Sequence, residues 1–157
     1  ELTLPLWSIT PFDEQHLDAV LSIEKASFKN PWQRNAFVGE LVCDESMSYV
    51  VKCPPQQGGQ VIAYVCLRRT ESDMHLLKVA VEHSWRERGI AAELLDGCFR
   101  MAVKEGVRVV HLEMRPANTA AQALYKKLGF NIIGKRPKYY TDTGEDALVL
   151  VKELKEA

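Results

Sequence analysis

Apolar and polar positions along this chain change period several times, and each change marks an element. Leu4 to Thr10 predicts a first strand. Thr10-Pro11-Phe12-Asp13 then has the form of a capping box with proline at the first helical position. Leu17, Val20, Leu21 and Phe28 follow at helical spacing, in a helix that ends before Asn30-Pro31. Gln33 to Cys43 predicts a second helix with Phe37 and Leu41 on one face. Met47 to Cys53 and Val61 to Arg69 predict strands joined by the hairpin loop Pro54-Pro55-Gln56-Gln57-Gly58-Gly59. Met74 to Val81 is a further strand, and Ala91 to Glu105 a strongly amphipathic helix closed by Gly106. The β-branched run Val107 to Met114, the helix Thr119 to Leu128 closed by Gly129, and the strands Asn131 to Arg136 and Ala147 to Lys152 complete the chain.

The resulting order is β-α-α-β-β-β-α-β-α-β-β. Consecutive early strands imply antiparallel hairpins, whereas strand-helix-strand from Met74 to Met114 implies a parallel crossover. The expected fold class is therefore α/β (α+β), a mixed twisted central sheet with helices on both faces. At 157 residues the whole chain, 1–157, is expected to be one domain with a full core.

Composition narrows the function classes. Apolar residues make up 46% and charged residues 26%, with a net charge of −1, so nothing global draws the chain to nucleic acid or membrane. No apolar run approaches the ~20 residues of a membrane span, and the first residues carry no signal-peptide pattern. Cys43, Cys53, Cys66 and Cys98 show no C-x-x-C spacing and read as reduced thiols of a cytoplasmic protein. The histidines His16, His75, His83 and His111 are scattered, and no metal is expected.

The chemistry is concentrated after Leu76-Leu77-Lys78-Val79-Ala80-Val81. That apolar strand runs through Glu82-His83-Ser84-Trp85 into Arg86-Glu87-Arg88-Gly89-Ile90-Ala91, which opens the long helix. The first N–H groups of a helix lack internal partners and point outward at its positive end, so this order builds an anion site. With Gly89 alone it is neither G-x-G-x-x-G nor a P-loop. A solvated turn before a surface helix would have the same local sequence.

Two longer patterns decide between these readings. Arg86-x-x-Gly89-x-Ala91 resembles the Gln/Arg-x-x-Gly-x-Gly/Ala motif of the GCN5-related N-acetyltransferases. Leu112-Glu113-Met114-Arg115-Pro116-Ala117-Asn118-Thr119-Ala120-Ala121, running on to Leu124-Tyr125-Lys126-Lys127-Leu128-Gly129-Phe130, resembles another block of that superfamily. Asn30-Pro31-Trp32, Tyr139-Tyr140 and Glu145-Asp146-Ala147 are similar to its ribosomal-protein-alanine N-acetyltransferase branch.

The resemblance implies acetyl-coenzyme A as co-substrate and direct acetyl transfer in a ternary complex. The acceptor it implies is a protein N-terminus, that of a ribosomal protein; a monomer is expected. Val79, Ala80 and Val81 would offer backbone groups to pantetheine and the acetyl carbonyl. Arg86, Glu87, Arg88, Gly89, Ile90, Ala91 and Ala92 match the pyrophosphate loop, and Asn118 the contact to the cofactor arm. Glu113 matches the general base and Tyr125 the general acid. The same resemblance is compatible with another amine acceptor (a lysine, a polyamine or a small molecule) or with a non-catalytic acyl-coenzyme A module.

Physical chemistry supports these roles. Attack on a thioester needs a neutral amine, and an α-amino group of pKa ~8 asks only for a modest base. Alternation places Glu113 with His111 and Arg115, opposite Leu112 and Met114, so an ion pair with Arg115 is the plain alternative. Asn118 and Tyr125 are two helical turns apart and can face one ligand; packing as a core aromatic is the alternative for Tyr125. Lys78 either faces Glu113 or points outward, and His111 either relays a proton or packs. Trp32, Tyr139 and Tyr140 are candidates for an aromatic wall around a peptide N-terminus, with core packing equally open to Trp32.

Overall fold

A computed structural model describes residues 6–55 and 59–155. Its strands are β1 (Ser8–Pro11), β2 (Tyr49–Cys53), β3 (Gln60–Thr70), β4 (Asp73–Val81), β5 (Val109–Met114), β6 (Asn131–Arg136) and β7 (Ala147–Glu153). Its helices are α1 (Leu17–Ser27), α2 (Arg34–Val42), α3 (Ile90–Lys104) and α4 (Thr119–Lys127). The seven strands lie in the order β1-β2-β3-β4-β5-β7-β6 in one sheet, with β4 and β5 parallel and β5, β7 and β6 antiparallel. The mixed sheet and element order agree with the expectation. Backbone contacts group the chain into two compact units, one holding the part up to Arg68 with Lys78–Leu95, the other Arg69–Leu77 with the part from Asp96 onward.

In the first unit β1, β2 and β3 form an antiparallel meander, with Thr10 opposite Val50 and Val50 opposite Tyr64. Leu17, Val20 and Ile23 recur on one face of α1 and are all buried, as is Phe37 of α2. The start of α1 departs from expectation. Pro11 does not open a helix; it ends the edge strand β1 opposite Tyr49, where its missing N–H leaves no ladder bond unmade. The capping box lies one turn later. The Asp13 carboxylate accepts from the Gln15 N–H at 3.0 Å, and the Asp13 N–H donates to His16 Nδ1 at 3.1 Å. The expected first strand begins partly outside the described residues, as does the middle of the Pro54–Gly59 loop.

In the second unit β5 is the centre. Val110, Leu112 and Met114 are buried while Val109, His111 and Glu113 alternate with them at intermediate exposure. Phe130 links the helices, its ring 5.9 Å from Phe99 of α3 and 5.5 Å from Tyr125 of α4. α3 and α4 end close to the glycines that predicted their ends. Gly129 shows why a glycine is needed there: φ is +95°, a backbone conformation that strains any residue with a side chain. No helix among the described residues is long and apolar enough to cross a membrane.

Candidate active site

In the first unit β4 ends at Val81 and a short turn leads to α3. The turn is braced by its own side chains. The Glu82 carboxylate accepts from the Ser84 N–H at 3.0 Å. Arg86 donates from Nε to the Val81 carbonyl at 3.0 Å and from a terminal nitrogen to Ser27 Oγ at 3.1 Å. Arg88 lies over the Trp85 ring at 4.7 Å. Glu87 and Gly89 both take positive φ, +63° and +79°, and Gly89 has open space where a side chain would stand. The Glu93 N–H makes the bond to the Gly89 carbonyl at 3.0 Å that starts the helix. The N–H groups of Ile90, Ala91 and Ala92 precede it, in the first turn where backbone donors have no partner within the helix.

Lys78 points neither outward nor at Glu113. Its ammonium donates to Glu24 Oε2 at 2.8 Å and sits 3.7 Å from the centre of the Phe28 ring. Glu24 is fully buried and also accepts from the Trp32 N–H at 2.8 Å and from the Tyr64 hydroxyl. Burial, then the Glu24 charge, raises the Tyr64 pKa far above its ordinary value. Trp32 packs its ring 5.2 Å from Phe37 and is half-buried, so its indole belongs to an aromatic cluster with Phe12 and Tyr64 around Phe37.

In the second unit Glu113 has partners that its sequence neighbourhood did not suggest. The pair with Arg115 does not form. Instead His75 Nε2 lies 2.6 Å from Glu113 Oε2, and Arg136 Nε donates to Oε1 at 3.0 Å. The Glu113 side chain is 6% exposed, against 31% for His75 and 53% for Arg136. His75 and His111 are paired residues in the β4–β5 register, and their rings stack 4.3 Å apart. Burial first, then the His75 charge, lowers the His111 pKa below the ordinary imidazole range. Only strand register brings His75 to Glu113, and no local motif carries that information.

Arg115 turns to the segment between β6 and β7. It donates to both Asp142 oxygens at 2.9 Å and to Glu145 at 3.1 Å, and its guanidinium lies 3.9 Å from the Tyr140 ring centre. This holds the Tyr139-Tyr140 pair, whose rings meet edge to face at 5.1 Å. Tyr139 is 44% exposed. Asn118 caps α4 by accepting from the Ala121 N–H at 3.1 Å. Tyr125, two turns along that helix, is buried, and burial is the main cause that pushes its pKa up to about 12. Its hydroxyl therefore keeps its proton at neutral pH. Cys66 and Cys98 are buried thiols pushed up to about 12, a poor setting for a nucleophile.

The acetyltransferase (GNAT) family model matches residues 17–130. This chain belongs to that family. As a GNAT protein it is an N-acetyltransferase, and it is similar along nearly its full length to enzymes of one branch. The Escherichia coli ribosomal-protein-S18-alanine N-acetyltransferase superposes with a TM-score of 0.84 at 27% identity, covering 96% of each chain. The K12 sequence of the same name is 29% identical over 148 residues, 91% of this chain and 95% of that protein. A Bacillus subtilis protein provisionally named for the same reaction is 31% identical over 136 residues, 87% of this chain and 88% of that one. Arabidopsis thaliana NAA60, solved in complex with acetyl-CoA, shares the fold at a TM-score of 0.82 and 18% identity, covering 94% and 98%. The expected GNAT fold is thus the fold observed.

Proposed function

We propose that this chain is a single acetyltransferase domain that moves an acetyl group from acetyl-coenzyme A directly to the α-amine of a protein N-terminus, the N-terminal alanine of a ribosomal protein being the leading acceptor. The observation that carries the reading is the turn before α3. Left-handed Glu87 and Gly89, with the helix N–H groups behind them, make a cradle of backbone donors suited to a diphosphate. Full-length similarity to bS18-alanine N-acetyltransferases supports the acceptor.

Each residue then has a task. Ile90, Ala91 and Ala92 donate N–H bonds to the diphosphate, with Arg86, Glu87, Arg88 and Gly89 shaping the turn. Val79, Ala80 and Val81 offer backbone groups to the pantetheine arm and to the oxyanion, an interaction worth about 3–4 kcal/mol in comparable sites. Asn118 contacts the same arm. Glu113 takes the proton as the amine nitrogen bonds to the thioester carbon. The C–S bond then breaks, and the Tyr125 hydroxyl gives its proton to the departing sulfur. Tyr139 and Tyr140 line the acceptor's first residues, and Trp32 stiffens the other aromatic cluster.

Mass spectrometry of peptides incubated with the protein and acetyl-coenzyme A tests this. The expected product is acetylated at the free N-terminus of alanine-initiated peptides and unmodified at internal lysines. Acetylation confined to lysine side chains or to small amines overturns the acceptor class.

A further inference from the structure

His75, His111 and Glu113 stand on one sheet face at the join of two parallel strands. His75 lies opposite His111 in the β4–β5 register, and Glu113 follows two residues later on the same side of β5. One nitrogen from each imidazole and one Glu113 oxygen all fall within 4.8 Å of one another. From these positions we propose that the three side chains form a binding site for a single divalent transition-metal ion of the imidazole-preferring kind, such as Zn2+, Co2+ or Ni2+.

The donor set suits that class. Two neutral imidazoles and a carboxylate select zinc-like ions over magnesium or calcium, which prefer oxygen alone. Ligand atoms around tetrahedral zinc stand about 3.3 Å apart, given bonds of ~2.0–2.1 Å. The ion must part the 2.6 Å contact between His75 and Glu113 and tilt the stacked rings until their in-plane lone pairs converge, a rotation of side chains. Arg136 holds Oε1 and leaves Oε2 for the metal, fixing the carboxylate as an outer partner does in metal sites. Its positive charge opposes the ion, while Asp73, close enough to act on His111, favours it. His75 is 31% exposed, which gives entry from solvent.

A bound ion would occupy the carboxylate proposed above as the proton acceptor. In that respect the inhibition arm of the test rests on the proposed function, whereas the binding arm does not.

Titration of the protein with Co2+ followed by visible absorption tests the site. One equivalent is expected to give ligand-field bands without a thiolate charge-transfer band, which sets Cys43 and Cys53 aside. His75→Gln and His111→Gln are each expected to weaken binding by at least ~10-fold. Imidazole NMR signals of the unaltered protein, titrated with Zn2+, provide a readout independent of whether the variants fold. His75 and His111 should move, and His16 and His83 should not. Absent bands, a thiolate band, or unmoved His75 and His111 signals overturn the site. Inhibition of acetyl transfer is expected at the Co2+ concentration that fills the site, measured against each variant's own metal-free rate. Binding without inhibition upholds the site and removes Glu113 as the base. Activity lost in Glu113→Gln, with no metal bound by the unaltered protein, upholds the base and removes the site.

Discussion

Glu24 and Glu113 are both carboxylates almost wholly withdrawn from solvent, yet they are held in different ways. Glu24 is fully enclosed, and its donors come from Tyr64, Lys78 and the Trp32 backbone, with the lysine side chain itself only 15% exposed. Glu113 is nearly as covered, but its partners His75 and Arg136 open to solvent. A carboxylate whose partners are all interior is a structural tie, because releasing any one leaves a buried charge unmatched. A carboxylate whose partners face water can exchange them for a substrate at low cost. Burial of the acid alone does not separate the two cases; exposure of what holds it does.

The sharpest way to break the comparison is Glu113→Gln. Acetyl transfer is expected to fall by about 10²–10⁴-fold, most severely below pH 8 where the acceptor amine carries its extra proton, with the folding midpoint in urea nearly unchanged. An unaltered rate across pH would place Glu113 among the structural acids. Next comes Lys78→Ala, which strands Glu24 inside the first unit. It is expected to cost about 3–5 kcal/mol in denaturant unfolding, and an unchanged midpoint would show that Tyr64 and Trp32 suffice. Tyr125→Phe should leave stability close to the original and slow thiol release roughly 10-fold or more, read in single-turnover kinetics.

Arg136→Ala should cost no more than about 1 kcal/mol, since its guanidinium is half in water; a loss as large as that of Lys78→Ala would erase the distinction between the two acids. The smallest effect concerns His16. Burial outweighs Asp13 and lowers its pKa, and its Nδ1 must be unprotonated to accept from the Asp13 N–H. The unfolded chain therefore binds the proton more readily. Stability is full above the ordinary histidine pKa of 6.5 and is lost as pH falls from there toward the lowered folded value. His16→Gln should remove part of that acid sensitivity from thermal melts.

Elements with their own punctuation were legible in the chain. Gly106 and Gly129 close to the ends of α3 and α4, the β-branched run of β5, and the turn into α3 each carry a local signal. Proline misled at β1, because a residue without an N–H suits an edge strand as well as a helix start, and pairing with β2 decided the matter. The partners of Glu113 were not legible at all. Arg115 is two residues away and unused, whereas His75 and Arg136 arrive through strand register and a distant β6. Lys78 likewise found Glu24 fifty-four positions earlier. Periodicity tells which side a residue faces and is silent about who waits there.

β5 carries two obligations in a single alternating row. Its even-numbered side chains, Val110, Leu112 and Met114, fill the interior, and its odd-numbered ones present His111 and Glu113. A slip of one position against β7 would turn the leucine and methionine toward water and drive the acid inward. A misaligned chain would thus lose its apolar burial together with the side-by-side placement of His111 and Glu113.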